Sequence, residues 1–240
     1  MKKINIFFAI IFVHFFIVSL CYAGIFEEIK KGIGLESQKK SAEGNIISGL
    51  KEALSIGTEN AVNSVSKVNG YFGNQTIKIL MPEKINMVAD SLRKIGYQKQ
   101  VDDFILSMNR AAEKAAPKAI SFFVDSIKEM TFEDAKKILN GGNTAATDYF
   151  KTKTNQKLYK AFKPIISSSM SEVNVTRFYK DMISKYTTLP FMKFESLDID
   201  HYVTNKALDG LFYMIGQEEK KIRTEPAARV TELLKKVFSK

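Results

Sequence analysis

From Val101 onward the apolar residues Phe104, Ile105, Met108, Ala111, Ala112 and Ala115 recur three and four apart. That spacing gathers one face of an α-helix and does not fit a half-buried strand. The same stripe runs through Ile85, Val88, Ala89, Leu92 and Ile95, through Ile120, Phe123, Val124 and Ile127, and through Val230, Leu233, Leu234, Val237 and Phe238. Prolines punctuate it. Pro117 precedes the third stripe and Pro226 the fourth, and because proline starts helices but breaks them from within, Pro117 marks a junction or kink. Thr131 with Asp134 has the spacing of a capping box, Gly141-Gly142 ends the helix that box begins, and Asn143 or Thr144 caps the next. Two stretches depart from the helical period. Gln75 to Met81 alternates Ile77, Ile79 and Met81, and Leu189 to Phe194 is apolar and aromatic around Pro190, so each reads as a short strand. The expectation is an all-α protein, a single compact multi-helix domain with one minor two-stranded β element.

The N-terminal residues obey a different logic. Lys2 and Lys3 precede an apolar run from Ile4 to Leu20, which closes on Cys21-Tyr22-Ala23 before Gly24. A short basic region, an apolar core and small residues before a cut are the pattern of a secretory signal peptide, with cleavage expected after Ala23. The rival is lipoprotein processing, with Cys21 acylated as the first mature residue. Leu20 stands where that route expects Ala or Gly. The chain is thus read as residues 1–23 signal peptide, 24–43 an N-terminal amphipathic linker and 44–240 the helical domain, directed to the periplasm or secreted. Cleavage would remove the chain's one cysteine. Disulfides, thiolate metal sites and a cysteine nucleophile then drop out, and the domain must be held by its core.

Composition and charge narrow the partners. With 45% hydrophobic residues, 13 Gly and 5 Pro in 240, the chain is neither disordered nor fibrous. Removing Lys2 and Lys3 from 36 basic residues leaves 34 against 26 acidic, a net charge of +8. The basic residues fall in scattered pairs, Lys30-Lys31, Lys39-Lys40, Lys136-Lys137, Lys220-Lys221 and Lys235-Lys236. They read as solvated helix faces or as contacts to an anionic membrane surface. No nucleic-acid-binding motif is present, and nucleic acid is not expected as a partner.

A resemblance follows from particular strings. Ser48-Gly49-Leu50-Lys51-Glu52-Ala53-Leu54, Met108-Asn109-Arg110-Ala111-Ala112-Glu113, Ile138 to Thr147, Lys206 to Phe212, Glu218 to Arg223, Pro226 to Arg229 and Leu233 to Phe238 together resemble a family of exported bacterial helical proteins catalogued as a domain of unknown function. The likeness spans about Gly44 to Phe238. It implies an all-helical periplasmic or secreted domain and carries no catalytic residues across.

Site chemistry must come from the residues. Asp102, Asn109 and Glu113 fall on one flank of the stripe that starts at Val101, where they line a polar pocket or bond a neighbouring helix. Glu219 is more unusual, because Leu208, Leu211, Phe212, Ile215 and Ile222 bring it onto an apolar face. A carboxylate there must be paired or protonated. Arg223, one turn on, and Arg229, beyond Pro226, are the candidate donors. The trio reads as a clamp between the last two helices, with an anion or ligand site, or a general acid, as the alternatives. Gly141, Gly142, Asn143 and Thr144 open a helix whose free N–H groups can hold an anion. The Lys-Ser/Thr ending of a phosphate loop is missing. His201 is the one histidine beyond the leader, no metal-ligand spacing or serine-hydrolase elbow accompanies it, and no cofactor is called for.

Two classes of function are compatible with these residues. One is a non-enzymatic binding module for a hydrophobic or lipid-like small molecule, the other an enzyme using Asp102, Glu113 or Glu219 as acid or base. A structural role with an envelope protein is the third possibility, which a large exposed apolar surface would favour over a closed cavity.

Overall fold

The apolar stripes that start at Ile85, Val101 and Ile120 become the buried faces of helices in the computed structural model, which describes residues 42–172 and 197–229, with Ser184, Thr231 and Lys235. The helices are α1 (Ala42–Ser66), α2 (Glu83–Lys94), α3 (Gln98–Ala115), α4 (Ala119–Lys128), α5 (Phe132–Asn140), α6 (Ala145–Glu172) and α7 (Ile199–Thr224). Short 3₁₀ turns at Ala116–Lys118 and Pro226–Ala228 carry the two punctuating prolines. Among the described residues there is no strand, and the helices form one compact all-α domain.

The helix ends show why the elements stop where they do. Beyond α2, Gly96 takes φ of 95° while its N–H donates to the Arg93 carbonyl and that of Tyr97 to Leu92, closing a Schellman motif. Ile95 therefore lies past the helix and is exposed. It does not continue the stripe. At α5 the Thr131 hydroxyl accepts from the Asp134 N–H at 3.1 Å and the Asp134 carboxylate accepts from the Thr131 N–H at 3.1 Å. The capping box is complete.

α7 packs against both α1 and α6, and α6 also packs on α3. Phe123 of α4 meets Phe150 of α6 edge-on at 5.2 Å and Phe212 of α7 at 6.2 Å. Ala111, Ala112, Ala115, Ala116 and Ala119 are all fully buried. Their small side chains let the backbone around Pro117 pass close to α1 and α6. Truncating a core phenylalanine such as Phe150 would cost about 3–5 kcal/mol.

The expected β element is corrected for its first half. Gln75–Met81 is a run of turns followed by unpaired chain, because its main chain is held by a side chain of α3 in place of a second strand. Its proposed partner Leu189–Phe194 lies outside the described residues, as do residues 1–23 with Cys21, residues 24–41, and the apolar positions Val230, Leu233, Leu234, Val237 and Phe238.

Candidate functional site

The polar flank of α3 grips the chain that connects α1 to α2. Glu113 is buried, and its Oε1 accepts from the N–H groups of Tyr71 at 3.1 Å and Phe72 at 3.2 Å. Arg110 donates to the other oxygen at 2.5 Å and to Asn69, itself in the left-handed region at φ of 66°. Four residues earlier on the same helix, the Asn109 carboxamide accepts from the Ile79 N–H and donates to the Ile79 carbonyl, both at 2.8 Å. Asp102 is not part of this grip. It is exposed, and a hydrogen bond from Gln98, with Arg93 beside it, holds its carboxyl below the usual carboxylate range. The three residues share a flank but are not gathered in one pocket.

From the other side α7 holds the same connection. The Tyr71 hydroxyl donates to the Ala207 carbonyl at 2.6 Å and Tyr202 to that of Leu80 at 3.1 Å. Burial pushes the Tyr71 phenol up, with the Glu113 charge adding to it. Gly210 makes the approach possible, since a Cβ there would lie 2.7 Å from the Tyr71 ring and 3.1 Å from Ile77.

Glu219 forms a second node. Its Oε1 accepts from the Ala146 N–H at 2.9 Å, and its Oε2 from the Thr147 N–H at 2.9 Å and hydroxyl at 2.8 Å. Those amides belong to the first turn of α6, where the helix dipole and free N–H groups favour an anion. The Gly141–Thr144 loop thus leads into a helix start already filled by the protein's own carboxylate. Arg223 completes the node with Nε at 3.0 Å and Nη2 at 2.8 Å from Oε1, and Nη2 also donates to the Ile138 carbonyl of α5. Arg229 does not reach Glu219. It donates to the Ile222 and Arg223 carbonyls and caps the last turn of α7. The clamp therefore ties α7 to α5 and α6.

His201 stands at the exposed start of α7, where Asp198 caps the helix and Tyr159 meets the ring at 2.7 Å. Its backbone N–H holds the Asp198 carboxyl below the usual range, with Lys163 adding to the effect. Among the described residues no group of side chains has the composition of a metal site.

Two spaces bear on binding. Beside Glu219, the space lined by Leu54, Gly57, Phe150, Ile215 and Ile222 amounts to about 20 Å³, and a single water needs about 10–15 Å³. No lipid-like molecule fits there. The second is an open groove of about 670 Å³, lined by the Thr76–Met81 connection, Asn86 and Arg93 of α2, Ile105 of α3, and Tyr202, Lys206 and Tyr213 of α7. Small-molecule sites run to about 300–1,000 Å³. Leu80 and Tyr213 are 58% and 43% exposed on its walls. None of the groove residues was a candidate site residue in the sequence, where Ile77, Ile79 and Met81 read as a strand and Ile105 as part of a helical stripe. The available signal was Leu80, an apolar residue at the polar position of an alternating run.

Bundle, grip and groove together define an all-helical domain with an open surface groove. The chain belongs to the family described as a protein of unknown function (DUF4197), which it matches over residues 40–239. No curated protein and no solved structure matches it.

Proposed function

We propose that this is an exported, non-enzymatic binding module whose ligand site is the open groove between α2, α3 and α7. The observation that carries the reading is the contrast between the two spaces. The interior beside Glu219 has room for one water, whereas the groove takes a molecule of several residues' size and exposes Leu80 and Tyr213 to it. The hydrophobic ligand expected in a closed cavity is accordingly reassigned to the surface. The state of the candidate carboxylates supports binding over catalysis. Both oxygens of Glu219 and of Glu113 are engaged by the protein's own donors, so a general acid or base would first have to give up structural bonds. Export rests on the basic, apolar and small-residue order of residues 1–23.

Methyl-labelled protein titrated with fractions of an extract from its own cells tests the reading. Shifts concentrated at Ile77, Ile79, Leu80, Met81 and Ile105, with Leu158 and Ile138 unmoved, are the expected result. Shifts confined to Leu54, Ile215 and Ile222 would place binding at the Glu219 node and overturn it.

A further inference from the structure

We infer that the groove receives an extended polypeptide segment, which pairs by its main chain with the free edge of residues 78–80; this inference rests on the groove being the binding site. Past the turn that the Lys78 N–H closes onto the Asn74 carbonyl, burial alternates, with Ile79 and Met81 buried and Leu80 exposed between them. Period two in burial is the mark of extended chain, in which the N–H and C=O groups of successive residues point to opposite edges. One edge is occupied. Asn109 supplies Ile79 with the acceptor and donor that a neighbouring strand would supply, at 2.8 Å each. The other edge carries the Leu80 N–H and the Lys78 carbonyl, and neither has a hydrogen-bond partner among the described residues. Both residues line the groove. The Leu80 carbonyl is already taken by Tyr202, so the edge offers one acceptor and one donor, enough for a single β-bridge.

A bridge of that kind selects the occupant's chemistry. An acyl chain brings neither N–H nor C=O, whereas an extended peptide brings both at one residue, and main-chain pairing to an open edge is an established recognition mode. Alternate side chains of the peptide then face the floor. Leu80, Ile105 and Tyr213 favour apolar ones there.

The probe is a phage-displayed library of random heptapeptides selected on the intact chain, with the affinity of enriched peptides measured on variants. Leu80→Pro removes an N–H that the fold does not use, and extended chain accommodates proline. Leu80→Ala keeps that N–H and removes the same side chain. Tyr213→Asp disturbs the groove wall alone. Binding at least about tenfold weaker in Leu80→Pro than in Leu80→Ala, one hydrogen bond's worth, together with loss in Tyr213→Asp, is the expected pattern. Equal affinities in the two Leu80 variants with loss in Tyr213→Asp would overturn main-chain pairing and leave the groove as the site. Affinities untouched by all three would overturn both. An N-methyl scan of the best peptide reads the same bridge from the ligand's side, independently of whether Leu80→Pro folds, and is expected to abolish binding at one position. A scan without such a position, or a library that yields no binder, overturns the inference.

Discussion

Among the described residues, Glu219 gathers the largest number of hydrogen bonds on one side chain. It accepts from two amides and a hydroxyl of α6 and from two nitrogens of Arg223, all at 3.0 Å or less. Glu219→Leu would take the buried carboxylate away from Arg223 and from the Ala146 and Thr147 amides, and breaking a buried pair costs about 3–5 kcal/mol. The melting temperature should fall by on the order of 10 °C, measured by circular dichroism; an unchanged melting temperature would remove the node from the account. The sequence made Glu219 and Arg223 legible, because they stand one turn apart on an apolar stripe. Its amide partners at Ala146 and Thr147 were not, since main-chain donors at a distant helix start carry no residue signature.

Two glycines of α7 make a matched residue-scale comparison. Alanine is better than glycine inside a helix by about 0.5–1 kcal/mol. At Gly216 the nearest atom to an added Cβ is the Thr147 hydroxyl at 3.6 Å, so Gly216→Ala should stabilise the protein. At Gly210 the Cβ would strike the Tyr71 ring, which is fully buried and tied down by its hydroxyl to Ala207. Overpacking of that sort costs about 1–3 kcal/mol. Gly210→Ala should therefore destabilise while Gly216→Ala stabilises, and denaturant melts showing the same sign for both would contradict this packing.

At the scale of elements, α4 and α6 are joined by a hydrogen bond from the Tyr149 hydroxyl to the Ser126 carbonyl at 2.9 Å. Burial pushes this phenol up to about 12, with Asp134 and Glu129 adding to the shift. A neutral acid whose value is raised on folding contributes stability that is fully present below the ordinary tyrosine range and is lost as pH rises through about 12. Ultraviolet titration should show a phenolate step near pH 12, below that of the more deeply buried Tyr71, and Tyr149→Phe should delete that step. A titration in which Tyr149→Phe removes an ordinary step instead would contradict this half-buried contact.

Helices were the legible elements, because period and punctuation agree. Pro117 and the Thr131–Asp134 box act where they stand in the chain, and each sits at a junction or cap. The connection at Ile77–Met81 was harder for a physical reason. Its alternation signals extended chain, and extended chain needs partners for its N–H and C=O groups, but the alternation does not say who provides them. Here Asn109 does, 30 residues away on α3. A lone carboxamide replacing a strand leaves no pattern of its own in a sequence.

For the whole molecule, the decisive property is where it has room. The buried aromatic rings and the alanines around Pro117 fill the core, and Asn109, Glu113, Glu219 and Arg223, unlike Asp102, turn out to hold the protein together. The larger open space lies outside, above the segment those residues fix in place. Among the described residues no helix is long and apolar enough to cross a membrane.

Native mass spectrometry of the protein recovered from its own cells, alongside Leu80→Asp, tests this claim most directly. Wild-type protein should carry a discrete extra mass that vanishes on denaturation, and Leu80→Asp, folded but with a charge in the groove, should be bare. A bare wild type, or an extra mass that persists in Leu80→Asp, would contradict a binding module built on this groove.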